Sequence, residues 1–378
     1  MDDMPRPVLV ADDQPDVIAA IRLLLRSAGF DTLGASSVDE VRAQLAAREY
    51  DAVVMDLNYA RDTTSGIEGL DLIADVHATW PDLPLIAMTG WANIETAVEA
   101  MRRGARGYVP KPWSNQALVQ LLREEIAHTR DARRARAGAA REWRDAQAVQ
   151  RALLPSALPE VAGCSFAARW EPATGVGGDY YDVFALDDAR LALCAGDVCG
   201  KGLSAALLVS SLQATVRACA APDCAPHETM ARVNTALCRQ GAHGRFITLV
   251  LAVLDTRDHM LRFCNAGHNA PILVRADGTV SRLETGGLAA GIFDTATYDS
   301  ARISLAAGDR LLFFTDGLAE AGIGASREFG DDQLVDAVLR HRHRGAAGLV
   351  EQLFAEVHAW AGPRLEDDAT ALALGVGA

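Results

Sequence analysis

Five polar residues in the first third of the chain stand where short apolar runs end. Asp12 and Asp13 follow VLVA, Asp56 closes DAVVMD, Thr89 follows LPLIAM, and Lys111 lies in GYVPKP. If those runs are neighbouring parallel strands, all five side chains reach the same carboxyl edge, where open α/β sheets bind ligands. Three carboxylates held together repel one another, so the arrangement is reasonable only around a cation. All-oxygen ligation suits Mg²⁺ or Mn²⁺, with Asn58 placed to add its backbone carbonyl. A lysine and a hydroxyl around one free carboxylate then make a site for in-line phosphoryl transfer onto Asp56. Capping or a solvated strand end accounts for one such acid, but not for five residues in step with the strands.

A second set follows in the rest of the chain. Asp179 lies in GGDYYD, Asp197 in CAGDVCGKG, Asp316 in TDGLAEA, and Asp367 with Asp368 precede ATALAL. Small residues flank each acid and let backbone and ligand approach closely. No histidine occurs in these segments. The simplest chemistry is a pair of Mg²⁺ or Mn²⁺ ions that activate water for phosphoester hydrolysis. A calcium loop would need its ligands closely spaced in one segment. Pairing of acids is uninformative by itself: the eight neighbouring acid pairs are close to chance for 50 acidic residues in 378. Placement at strand ends beside glycines and hydroxyls is what distinguishes these.

Such residues need elements to position them. From Pro7 to about residue 125, five apolar runs alternate with five amphipathic stretches, which predicts βαβ units in a doubly wound, five-stranded parallel sheet. Between about 126 and 158 the chain is rich in arginine, alanine and glutamate, and Pro155 and Pro159 end it as a helix. Ala132, Ala135, Ala139, Ala146, Val149 and Leu153 mark a weakly apolar seam at heptad-like spacing. It fits either pairing with a second copy or a solvated linker helix. From 159 to 378, strand runs joined by short turns, with helices grouped apart, predict an α+β antiparallel β-sandwich flanked by helices. Three segments are thus expected: 1–125, 126–158 and 159–378.

With 50% hydrophobic and 23% charged residues, the composition is that of a soluble globular protein. A net charge of -14 disfavours nucleic acid as the main partner. Seven cysteines without a CxxC pair argue against disulfides or zinc. The acidic start MDDMPRP is unlike a signal peptide, and no apolar run is long enough to cross a membrane, so a cytoplasmic location is expected.

The segments VLVADDQPD, DAVVMDLN, IAMTGW and GARGYVPKP resemble the receiver domain of two-component response regulators, over residues 6 to about 125. The resemblance implies Asp56 as phospho-acceptor, Asp12 and Asp13 as Mg²⁺ carboxylates, Thr89 and Lys111 as phosphate contacts, and Tyr108 as the aromatic that moves on activation. It also implies a sensor histidine kinase upstream. The loop NYARDTTSGIEG after Asp56 is longer than is usual in that family.

The segments LLPSALP, PATGVGGDYYDVF, AGDVCGKG, FITL, NAGHNAP, TDGLAEA and EDDAT resemble the SpoIIE-type branch of the PPM protein phosphatases. That resemblance implies two Mn²⁺ or Mg²⁺ ions held by Asp179 and Asp197 with the Val198 carbonyl, completed by Asp316 and Asp367, with Asp368 as an outer acid. Lys201 stands where many relatives have histidine, and Cys199 where serine is usual. His268 in NAGHNAP is read as stabilising its turn rather than as a general acid. The implied activity is hydrolysis of phosphoserine or phosphothreonine, with a phosphorylated anti-sigma-factor antagonist in a partner-switching pathway as the substrate. The competing expectation is a phospho-controlled adaptor whose phosphatase-like domain is silent. A transcription factor would need a basic helix-turn-helix after the receiver, and none is present.

Overall fold

Residues 8–11, 52–55 and 85–88 carry no polar side chain, so strands built from them must be covered on both faces. In the computed structural model, which describes residues 4–59, 67–89, 94–240, 245–322 and 327–377, they form the centre of a parallel sheet. The chain divides into two units, Met1–Arg141 and Glu142–Ala378. The first runs β1 (Val8–Ala11), α1 (Pro15–Ser27), β2 (Thr32–Ala35), α2 (Val38–Ala47), β3 (Ala52–Asp56), α3 (Ile67–Thr79), β4 (Leu85–Thr89), α4 (Ile94–Arg102) and β5 (Gly107–Pro110), then enters α5 (Asn115–Leu153). Strand order is β2-β1-β3-β4-β5, with parallel pairing throughout. Alternate residues face opposite cores: Leu9, Val53, Met55 and Leu85 on one side, Val8, Val10, Val54 and Ile86 on the other. Most of the long loop after Asp56, residues 60–66, lies outside the described residues.

The second unit takes in the end of α5 and continues with β6 (Cys164–Glu171), β7 (Asp179–Ala185), β8 (Arg190–Val198), α6 (Leu203–Cys219), α7 (Pro226–Arg239), β9 (Ile247–Asp255), β10 (Met260–Ala266), β11 (Ile272–Val274), β12 (Val280–Arg282), β13 (Gly286–Gly287), β14 (Ala301–Ser304), β15 (Arg310–Phe314), α8 (Asp316–Ala319), α9 (Gly330–His341), α10 (Ala346–Ala361) and β16 (Ala369–Val376). One sheet has the order β13-β10-β9-β8-β7, with β14 on β10; the other is β12-β11-β15-β16-β6. Pairing is antiparallel except for the two-residue parallel match of β13 with β10.

The period-2 alternation of the strands creates the layers. Leu193, Val250, Leu254, Phe313 and Leu372 pack between the sheets. Their neighbours Cys194, Leu249 and Leu251 turn out against α6 and α7, and Leu312, Phe314 and Ala371 against α9 and α10. The result is a helix-sheet-sheet-helix sandwich. Phe313 is fully buried in its centre, where truncation to alanine costs about 3–5 kcal/mol.

Candidate functional site

In the first unit, Asp12 and Asp13 follow β1, Asp56 and Thr89 are the last residues of β3 and β4, and Lys111 follows β5. Because the strands are parallel and adjacent, their carboxyl ends bring these residues together. One carboxylate oxygen from each of Asp12, Asp13 and Asp56 lies within 4.8 Å of the others. Lys111 Nζ is 2.6 Å from Asp12 Oδ2 and 3.1 Å from Asp56 Oδ2. The Leu57 N–H donates to Asp56 Oδ1 at 2.9 Å, and the Gln14 N–H to Asp12 Oδ1 at 3.0 Å. Burial holds the Asp56 carboxyl above its usual range, against the pull of Lys111. Burial also works against the Lys111 ammonium, but its hydrogen bond to Asp12 and the charges of Asp56 and Asp12 carry its pKa upward on balance.

Thr89 is buried, and its carbonyl accepts from the Lys111 N–H at 2.8 Å. Asn58, two residues past Asp56, is half-buried. Tyr108 lies on β5, and its buried hydroxyl has no hydrogen-bond partner among the described residues. The hydroxyl of Tyr59 is in the same condition, a residue that sequence reasoning had passed over. Burial, followed by the charges of Asp56, Asp12 and Asp13, holds that phenol in its neutral form.

In the second unit the acids lie at the ends of β7, β8, β15 and β16. Asp179 opens β7 directly opposite Asp197 on β8, while Asp316 follows β15 and Asp367 and Asp368 precede its partner β16. Gly317 permits that last approach, since a Cβ there would lie 2.0 Å from the Asp368 carbonyl oxygen. Burial first, then the charges of Asp316, Asp367 and Asp368, push the Asp197 carboxyl up to about 7. Asp316 is raised by burial and by Asp367. Asp179 is raised well above its ordinary value by burial, although hydroxyls of Thr370 and Thr315 favour its charged form. Lys201 Nζ lies 2.8 Å from Asp367 Oδ2, an exposed pair beside the cluster.

Asp368 is engaged differently. Its Oδ1 accepts the Ala173 N–H at 2.8 Å and its Oδ2 the Gly178 N–H at 2.6 Å, so it anchors the loop that delivers Asp179. His268 is buried, shares a hydrogen bond with Thr248 Oγ1 at 2.9 Å, and its backbone N–H donates to Asn265 Oδ1 at 2.8 Å. Thr315, Thr370 and Gln150 were missed in the sequence. The two threonines stand beside the acids in FTDG and DDAT, which was a usable signal, whereas Gln150 lies in a polar helix with nothing to mark it.

The donor set fits divalent cations. It consists of carboxylates with one neighbouring lysine, and burial first, then mutual repulsion, raises Asp179, Asp197, Asp316 and Asp368 above the ordinary carboxylate range, a cost that a bound cation would offset. Oxygens line the position that Gly178 leaves without a side chain: a Cβ there would lie 3.0 Å from the Val198 carbonyl oxygen and 3.2 Å from Asp197 Oδ1. Among the described residues no three acids of this unit close to the spacing seen in the receiver triad, so the set is the more open of the two.

Residues 187–377, half of the chain, match the family model described as Stage II sporulation protein E (SpoIIE), and residues 8–123 match the response regulator receiver domain. Protein IcfG of Synechocystis sp. is 28% identical over 218 residues, 50% of this chain and 34% of its own length. Phosphoserine phosphatase RsbU of Bacillus subtilis is 28% identical over 173 residues, 46% of this chain and 51% of its own. The chain thus spans about a third of IcfG and half of RsbU. The SiaA-PP2C domain of Pseudomonas aeruginosa shares the fold, with a TM-score of 0.56 at 24% identity over 63% of this chain and 97% of that one.

Proposed function

Because the chain belongs to the SpoIIE family and carries a response regulator receiver domain ahead of the phosphatase fold, we propose that it is a receiver-controlled, metal-dependent phosphatase of phosphoserine or phosphothreonine proteins. The observation that carries this reading is the pairing of Asp179 with Asp197 across β7 and β8, within the field of Asp316 and Asp367. With all four acids in place, a catalytically silent adaptor has no support in the site.

Asp179, Asp197, Asp316 and Asp367 would hold two Mn²⁺ or Mg²⁺ ions, with the Val198 carbonyl as a neutral ligand and Asp368 as the outer acid. When bound, such ions supply Lewis-acid chemistry for attack of water on a phosphoryl group. The protein's part is to fix its carboxylates: Thr315 and Thr370 orient Asp179, and Asp368 holds the loop before it. In the receiver, Asp12 and Asp13 would hold Mg²⁺, with the Asn58 carbonyl assisting. Asp56 takes the phosphoryl group from a sensor histidine kinase, Lys111 and Thr89 contact that group, and Tyr108 reports it. The helical linker, taken as 126–158, carries the signal in a homodimer. Val149 on its alanine seam is 63% exposed, as an unfilled pairing surface requires. The substrate implied by this family is a phosphorylated anti-sigma-factor antagonist.

Hydrolysis of p-nitrophenyl phosphate in Mn²⁺, with and without beryllofluoride on the receiver, tests the proposal. A rate that changes with beryllofluoride supports it. Absence of turnover in both states, from folded protein and with the phosphoprotein substrate also supplied, overturns it.

A further inference from the structure

Gln150 is 4% exposed, although it sits on a helix whose sequence is largely charged and solvated. Its side-chain amide is used twice on one residue: Nε2 donates to the Gly177 carbonyl at 2.6 Å, and Oε1 accepts the Gly177 N–H at 3.0 Å. Trp143, Gln147 and Gln150 follow at intervals of four and three residues and so share one helix face. That face lies along the loop before β7. Trp143 Nε1 donates to the Thr174 carbonyl at 3.2 Å, and Gln147 presses so close to Gly175 that a Cβ there would lie 1.7 Å from its Nε2.

Gly177 is held from its other side as well, since a Cβ on it would meet Asp368 Oδ2 at 2.7 Å. Two residues on is Asp179. We propose that Gln150 is a positioning residue for the acid site: its paired hydrogen bonds set the Gly177–Asp179 backbone, and so make the geometry of Asp179 depend on where the last turns of α5 lie. This deepens the phosphatase reading and rests on it. The reason is mechanical. A bidentate amide fixes both the height and the rotation of the helix against the loop, whereas an apolar contact in the same place would let the helix slide.

The test uses the full chain with Asp13→Asn, so that the receiver triad does not compete for the ion. Mn²⁺ binding is measured by calorimetry, and p-nitrophenyl phosphate kinetics by titration of Mn²⁺. Gln150→Met keeps the volume and loses both hydrogen bonds, Gln150→Glu keeps the acceptor for Gly177, and Arg151→Ala is an exposed control on the same turn. The expected result is a loss of Mn²⁺ affinity of about tenfold or more in Gln150→Met. In that variant kcat should fall further than KM rises, Gln150→Glu, which turns a carboxylate oxygen onto the Gly177 carbonyl, should lose at least as much, and the control should match its parent. Affinity and kcat unchanged in Gln150→Met, or a loss confined to thermal stability, overturn the inference and leave the phosphatase reading standing. A parent chain that neither binds Mn²⁺ nor turns over overturns both.

Discussion

Thr370 Oγ1 lies 2.5 Å from Asp179 Oδ2, and Thr315 Oγ1 reaches the same oxygen at 2.7 Å. Thr315 Oγ1 also accepts the Thr370 N–H at 2.9 Å. The two hydroxyls therefore hold one carboxylate oxygen of Asp179 at the β15–β16 ends. Thr370→Val keeps the shape and removes one donor. It should lower kcat about tenfold through misorientation of Asp179, at a stability cost of about 1 kcal/mol. Asp179→Asn should abolish hydrolysis while the far-ultraviolet dichroism stays native. Retained turnover in Asp179→Asn would remove that residue from the metal set.

Asp368 should behave as an anchor first. Asp368→Ala strands the buried N–H of Gly178, worth about 1–3 kcal/mol when unsatisfied, and leaves the N–H of the exposed Ala173 to water. Urea unfolding should show that loss even with excess EDTA present. A variant as stable as its parent without metal would show that the loop is held by other means.

In the receiver, Lys111 pairs with two buried acids at once. Asp56→Asn should leave the fold intact and abolish the response of phosphatase rate to beryllofluoride, because the carboxylate at the acceptor position is gone. Lys111→Ala should blunt the same response without removing the acceptor. Persistence of the full response in Asp56→Asn would place control elsewhere.

The pH dependence of stability should carry the mark of His268. Burial, only partly offset by a hydrogen bond with the Phe314 backbone, lowers its pKa from 6.5 to about 4. The unfolded chain therefore takes up a proton near pH 6.5 that the folded chain refuses until about pH 4. Stability from this group is full above that window and is lost as pH falls through it. Between pH 7 and pH 5 the loss is about 2 kcal/mol at ~1.36 kcal/mol per pH unit. Denaturant midpoints at the two pH values should draw closer together in His268→Gln. An equal separation in both proteins would mean that the imidazole charges without cost.

The acids of both sites were legible in the sequence because each stands where an apolar run stops or starts, beside small residues or hydroxyls, and a strand end is a place that the chain itself specifies. The five parallel strands were legible because apolar runs alternate with amphipathic stretches, and the antiparallel sheets because strand runs follow one another across short turns; the strand order was not. What the tertiary structure decided is which polar groups hold those acids. Thr370 is 191 residues from Asp179, Asp368 is 190 from Gly178, and Gln150 is 27 from Gly177. Strand pairing and helix docking bring each of them into place. Hydrogen bonds of that kind depend on register and rotation across separate elements, and no local spacing encodes them. Asp368 makes the distinction plain: the sequence marks it as one more acid beside Asp367, and only the folded loop turns both its oxygens onto backbone N–H groups.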